Sequence, residues 1–188
     1  MKRARTGSDT LTGGTGDVNP QFLSDSAAQS GADTTTTSQL ALPIQRIAAN
    51  SPQQAVVMEV LKIWAQLPVF GDVANVAETS KSLNIIFSTR NTGTTNQSLA
   101  DPAVFAVART TQQGAWTAAG SYAYQEFPIV VIDLTDGAGH GILIATDSIF
   151  IQVVSAATGN TNTAQFKIMY RWKRVSLAEY IGIVQSQQ

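Results

Sequence analysis

The single histidine of the chain, His140, lies in Asp136-Gly-Ala-Gly-His-Gly141, with Asp133, Asp136 and Asp147 close to it in sequence. An imidazole beside a carboxylate is the minimum of a general base, and that work needs a fixed orientation toward the proton it takes. Glycines on both sides fix His140 poorly, so it reads as a polar member of a turn. Asp133 and Asp136 could lend oxygens to a calcium ion, but the segment lacks the dense carboxylates of a loop cage. The glycines resemble a phosphate loop only superficially. Neither the Walker pattern nor the dinucleotide fingerprint fits, no suitable Lys-Ser/Thr follows, and the next segment reads as strand. There is no cysteine, and no group of His, Asp or Glu has metal-ligand spacing. The expectation is a protein that is not an enzyme and that carries no metal or cofactor.

Positive charge is the other chemistry available. Lys2, Arg3 and Arg5 put three cations in the first five residues, leaving nine basic against thirteen acidic side chains in the rest, a balance of −4. A body of that sign does not draw nucleic acid by its overall field, so any such contact has to be local. The basic tip could neutralise phosphates without reading sequence. A second set, Lys167, Arg171 and Lys173, falls on one face of a period-two segment, with Arg174 adjacent. A solvated sheet face is the competing reading of such a row. Tyr170 and Trp172 take the opposite face and are assigned to the core. The candidate nucleic-acid-binding residues are therefore Lys2, Arg3, Arg5, Lys167, Arg171 and Lys173.

The elements that would position these groups read as strands. Of 188 residues, 44% are hydrophobic and 13% charged, about half the usual charged share. Long helices need more Glu and Lys on their wet faces than this chain supplies. Residues 82–89 alternate, residues 127–134 hold the apolar run Ile-Val-Val-Ile of a strand buried on both faces, and 103–109, 141–145 and 148–154 read as further strands. Residues 115–124 are ambiguous between Gly114 and Gly120. In 164–172, Phe166, Ile168, Tyr170 and Trp172 share a face, and with 148–154 this segment reads as a hairpin closed by Ala157-Thr-Gly-Asn-Thr-Asn162. Residues 177–184 read as a final strand. Residues 51–67 are divided: Ser51-Pro-Gln-Gln54 looks like a helix start, and Val56, Val60, Ile63, Trp64 and Leu67 share a helical face, yet the stretch is rich in β-branched residues.

The first fifty residues differ. From Thr6 to Gln39 the chain is mostly Thr, Ser, Gly, Asp, Gln and Ala, with too few large apolar groups to offset the entropy of ordering it. Residues 1–49 are expected to be a flexible arm and 50–188 the folded domain. The aspartates at 9, 17, 25 and 33 are evenly spaced, but their neighbours do not repeat, so no repeat is inferred. No apolar run follows the basic start, so no secretory signal is expected, and Asn96-Gln-Ser98 is read as a chance sequon. No apolar window is long enough to span a membrane. About eight strands in the last 135 residues suit an all-β, single jelly-roll sandwich.

Several runs carry a resemblance. Asp133-Leu-Thr-Asp-Gly-Ala-Gly-His-Gly141, Ala145-Thr-Asp147, Glu59-Val-Leu-Lys-Ile-Trp64 and above all Tyr170-Arg-Trp-Lys-Arg-Val-Ser-Leu-Ala-Glu-Tyr-Ile-Gly-Ile-Val-Gln-Ser-Gln187 resemble capsid proteins of circovirus-like viruses, whose small circular single-stranded DNA genomes encode a replication initiator. The resemblance covers about residues 50–188. It implies a jelly roll, assembly with copies of itself into an icosahedral shell, an arm that contacts the genome, and residence in the virion and, during assembly, the host nucleus. It also implies that Glu59–Trp64 belongs to a strand. Related arms are often densely Arg-rich, and this one is not: about sixty copies would bring on the order of 180 arm charges to a genome of a few thousand phosphates. The alternative is a non-viral jelly-roll binding module, lectin-like or a trimeric β-sandwich. That reading leaves the basic tip unexplained.

Overall fold

A computed structural model describes residues 20–42, 54–70, 78–117, 120–125 and 129–187, with 78–79, 114–117 and 120–125 as backbone only. The chain builds β1 (Gln21–Ala28), β2 (Thr35–Ala41), β3 (Gln54–Gln66), β4 (Glu78–Ser88), β5 (Val104–Thr117), β6 (Gly120–Gln125), β7 (Val130–Asp133), β8 (Ile142–Ile144), β9 (Ser148–Ala156), β10 (Thr163–Ser176) and one helix, α1 (Leu177–Ser186).

The strands form two antiparallel sheets. One runs β1-β10-β3-β7, with β8 joining the same edge of β3; the other runs β2-β9-β4-β5-β6. Chain neighbours are split between the sheets (β1 and β2, β3 and β4, β9 and β10), which is the wrapping of a jelly roll. Alternation along each strand supplies the core between them. Met58, Val60, Ile63, Ile168 and Tyr170 come from one sheet; Leu83, Ile85, Phe87, Ile149, Ile151 and Val153 come from the other. Phe87 meets Phe166 edge to face across the interface, centroids 5.4 Å apart.

Four expectations need correction. Residues 21–41, expected as part of the arm, hold two strands, because the backbones of β1 and β2 bond along β10 and β9 whatever their polar side chains do. Lys2, Arg3 and Arg5 lie outside the described residues. The segments 148–154 and 164–172 are not a hairpin: β9 and β10 belong to different sheets. Their connection instead meets the β1–β2 connection in a polar network. Gln29 donates to Ser155 Oγ (2.8 Å) and to the carbonyl of Thr34, and Asn162 donates to Gln29 Oε1 (2.9 Å). Asp33, at φ 51°, accepts from the Thr158 N–H at 2.7 Å.

Residues 177–184 are helix rather than strand. Ser176 caps the first turn by accepting from the Glu179 N–H (3.2 Å). Tyr180, Ile183 and Val184, spaced three and four apart, then pack on Val57, Ala145 and Val175. The fourth correction is the burial of 127–134: Ile129 and Val131 are 56% and 53% exposed. For 51–67 the described part is strand. Register slips between Met169 and Tyr170, where Leu61 is the extra residue of β3. That bulge moves the inward set from Met58 and Val60 to Ile63 and Ala65, and the three-residue step from Val60 to Ile63 is what imitates a helix.

Candidate nucleic-acid interface

The outward face of the β1-β10-β3-β7 sheet collects the charged and aromatic side chains that the core excludes. Along β10 it carries Lys167, Met169, Arg171, Lys173 and Val175, opposite Trp64, Lys62, Glu59, Val57 and Ala55 of β3. Phe22 and Ser24 of β1 lie beside Met169 and Lys167, while Val131 and Asp133 of β7 lie beside Trp64 and Lys62. Helix α1 covers one end of this face through Tyr180, Ile183 and Val184.

The middle of the face is an ion cluster around Glu59, whose side chain has no exposed surface. Arg171 Nε donates to Glu59 Oε2, the Gly141 N–H donates to Oε1 at 3.0 Å, and Lys173 Nζ stands 3.9 Å from Oε1. Burial pushes the Glu59 carboxyl up. The hydrogen bonds from Arg171 and Gly141, with the charges of Arg171 and Lys173, outweigh it and hold the group below its ordinary value. Arg171 also donates to the Gly139 carbonyl at 3.1 Å. The expected row of cations is therefore real as a row, but Arg171 is committed to a buried carboxylate and Lys173 leans on the same one. Arg174 follows, its buried Nε without a hydrogen-bond partner among the described residues.

Glycine at 141 has a steric reason. A Cβ there would stand 2.1 Å from the Val60 carbonyl oxygen, so the turn can seat its N–H on Glu59 only without a side chain. His140 serves the same turn. Its Nδ1 is 3.1 Å from Asp136 Oδ2, its N–H donates to Asp136 Oδ1 at 2.8 Å, and its carbonyl accepts from the Asp136 N–H at 2.8 Å. Asp133 is held by Thr135 and by Lys62, 2.9 Å away, which bring its carboxyl down to about 2. Among the described residues no group of three or more His, Cys, Asp or Glu could hold a metal, and no helix is long and apolar enough to cross a membrane.

The far end of the face is different. Lys167 has no carboxylate partner among the described residues; its Nζ sits 5.0 Å from the centre of the Phe22 ring. Phe22, 56% exposed, and Trp64 stand 6.1 Å apart, tilted by 48°. Sequence reasoning missed both aromatics: Phe22 lay in the expected arm, and Trp64 in a run divided between helix and strand. Counting Lys62, Lys167, Arg171 and Lys173 against Glu59 and Asp133, the outward side chains are positive by two, and by one once Asp25 of the same groove is included, on a chain whose net charge is −1.

No protein-family model matches the sequence, and no curated protein matches it. Among solved structures, the chain is similar to VP1 of Trichodysplasia spinulosa-associated polyomavirus, solved with sialylated precision glycooligomers, at TM-score 0.49 and 9% identity over 86% of this chain and 97% of that one. It is also similar to Merkel Cell Polyomavirus VP1 with disialyllactose (TM-score 0.44, 10% identity, 76% and 78% covered) and to apo New Jersey Polyomavirus VP1 (0.40, 10%, 76% and 82%). The jelly-roll assignment stands on the strand order, independently of these likenesses.

Proposed function

We propose that this chain is a viral coat protein whose jelly roll assembles with copies of itself into a small icosahedral shell around a single-stranded DNA genome, as in circovirus-like viruses. The observation that supports it best is the positive outward sheet face. It carries Lys167, which has no acid partner among the described residues, and it lies beside Phe22, at the start of β1, where the chain bearing Lys2, Arg3 and Arg5 joins the fold. In this reading that face lines the inside of the shell, and residues 1–19 serve as the genome-contacting arm.

Lys167 leads the sheet's contribution and half-exposed Lys173 follows, with Arg171 held on Glu59. The low charged share of the chain, 13%, suits repeated contacts between identical subunits. The protein then resides in the virion and, during assembly, in the host nucleus.

The test is sedimentation of the purified full-length chain, with absorbance at 260 and 280 nm recorded across the gradient. Virus-sized particles carrying nuclease-protected nucleic acid support the proposal. A monomer or trimer that binds glycans and never forms particles would favour a lectin-like module instead. Replacing Lys2, Arg3 and Arg5 with Ala should reduce the protected nucleic acid; an unchanged amount removes the arm from the account.

A further inference from the structure

We infer that the groove between β1 and β3 on the outward sheet face is a binding site for unpaired nucleotides, in which Phe22 and Trp64 stack on a base and Lys167 meets the adjoining phosphate. This deepens the proposed genome contact and rests on that reading for its biological setting. The groove encloses about 740 Å³ and is lined by Phe22, Ser24, Trp64, Gln66, Ile129 and Lys167, among others. The two rings are tilted to each other with centres 6.1 Å apart, so they form an open corner and not a closed stack. Aromatic rings on an open surface accept any base, because every base has a π-face, and a nearby cation fixes the backbone.

A second copy of the chain is the natural rival for an exposed apolar groove. Covering this one with protein would strip water from Lys167, which has no carboxylate partner among the described residues, so a second copy would have to place an acid against it. A nucleotide answers both parts of the site, the base covering the rings and the phosphate neutralising the ammonium. Asp25 lies on the rim, its Oδ1 accepting the Ser26 N–H at 2.8 Å. It offsets the Lys167 charge within the groove lining, so phosphate has to be met at the ammonium itself.

The chain outside the described fold points the same way. Arg5 lies fifteen residues before Pro20, within about 50 Å of reach at full extension. The basic tip can therefore engage the same strand that occupies the groove.

The experiment measures binding of a fluorescein-labelled 20-mer oligo(dT) to the full-length chain by anisotropy at several salt concentrations. Phe22→Ala and Trp64→Leu should weaken binding roughly five- to hundredfold and leave the salt dependence unchanged, while Trp64→Phe should bind nearly as wild type. Lys167→Gln should reduce the slope of log affinity against log salt by about 0.7, the loss of one single-strand phosphate contact. A 5-iodouracil oligonucleotide should photocrosslink at Phe22 or Trp64. Phe22 is exposed, so its truncation leaves the fold in place.

Wild-type affinity and slope in these variants, with particles still forming, would overturn the groove and leave the coat-protein reading intact. Groove variants that lose particles while their subunits still bind oligo(dT) normally would make this face a contact between copies, which also overturns the inference. A chain that never forms particles yet crosslinks at Phe22 or Trp64 would keep the groove and defeat the coat-protein reading.

Discussion

Replacing Glu59 with Gln removes one charge from a fully buried side chain while nearly preserving its size. What it leaves behind is the larger effect. Arg171, with a side chain only 20% exposed, loses the carboxylate that it grips through Nε, and Lys173 loses an attraction across 3.9 Å. Breaking a buried pair by removing one partner costs about 3–5 kcal/mol. The Gly139 carbonyl still accepts from Arg171, which places this case near the lower bound, about 3 kcal/mol. With a urea m-value of about 2 kcal/mol/M, the midpoint should fall by about 1.5 M.

The measurement belongs on unassembled subunits, because association adds its own stabilisation. The double variant Glu59→Gln/Arg171→Met should recover much of the loss, since neither charge is then stranded. Arg171→Met alone should destabilise the subunit while leaving the salt dependence of oligo(dT) binding as in wild type. A Glu59→Gln midpoint within about 0.3 M of wild type would mean that Arg171 solvates freely. Arg171 would then not be committed to Glu59.

Other outcomes follow from neighbouring features. Gly141→Ala drives a Cβ against the Val60 backbone and should abolish soluble protein or cost several kcal/mol (about 3 or more), whereas Gly137→Ala, with nothing within 4 Å, should be near neutral by the same urea titration. Ser176→Ala should cost about 1 kcal/mol, concentrated in faster amide exchange over α1, because it removes the acceptor for the Glu179 N–H.

Acid should unfold the subunit through Asp33, Glu59, Asp101, Asp133 and Asp136, all held below their ordinary values, Asp133 at about 2. The unfolded chain takes up these protons first as pH falls. Their stabilisation is therefore complete above the ordinary values of 3.8 to 4.5 and is lost progressively toward about 2, which a pH series of thermal melts would show. His140→Ala should shift stability by no more than about 0.5 kcal/mol, since its ring is exposed and, among the described residues, bonds within its own turn.

How far the sequence reaches depends on what each residue's periodicity reports. Core strands were legible where one face is buried and the other is wet, as in Phe166, Ile168, Tyr170 and Trp172 of β10, and from such runs the all-β class followed. β1 and β2 were not, because an edge strand bonded on one side is held by backbone pairing, and its Thr and Ser side chains say nothing about that. β3 imitated a helix through its bulge at Leu61, which sets the inward-facing Val60 and Ile63 three residues apart.

The helix itself was misread because Tyr-Ile-Gly-Ile-Val alternates as well as it spirals; Ser176 with Glu179 three residues on was the signal that could have decided it. Of the candidate site, Lys167, Arg171 and Lys173 were found as a row. Their division into one cation with no acid partner among the described residues and two held by Glu59 was not visible, since Glu59 and Arg171 are 112 residues apart in sequence. Nor was the pairing of Phe22 with Trp64, which needs β1 and β3 to lie on either side of β10.

Electron microscopy of the purified full-length chain, imaged across a range of salt and pH, tests the central claim most directly. Closed particles of uniform diameter, whose reconstruction fits repeated copies of this jelly roll with the Lys167 face turned toward internal nucleic-acid density, are the predicted result. A chain that stays a single 19.9 kDa molecule in every condition, or particles that carry that face outward, would contradict it.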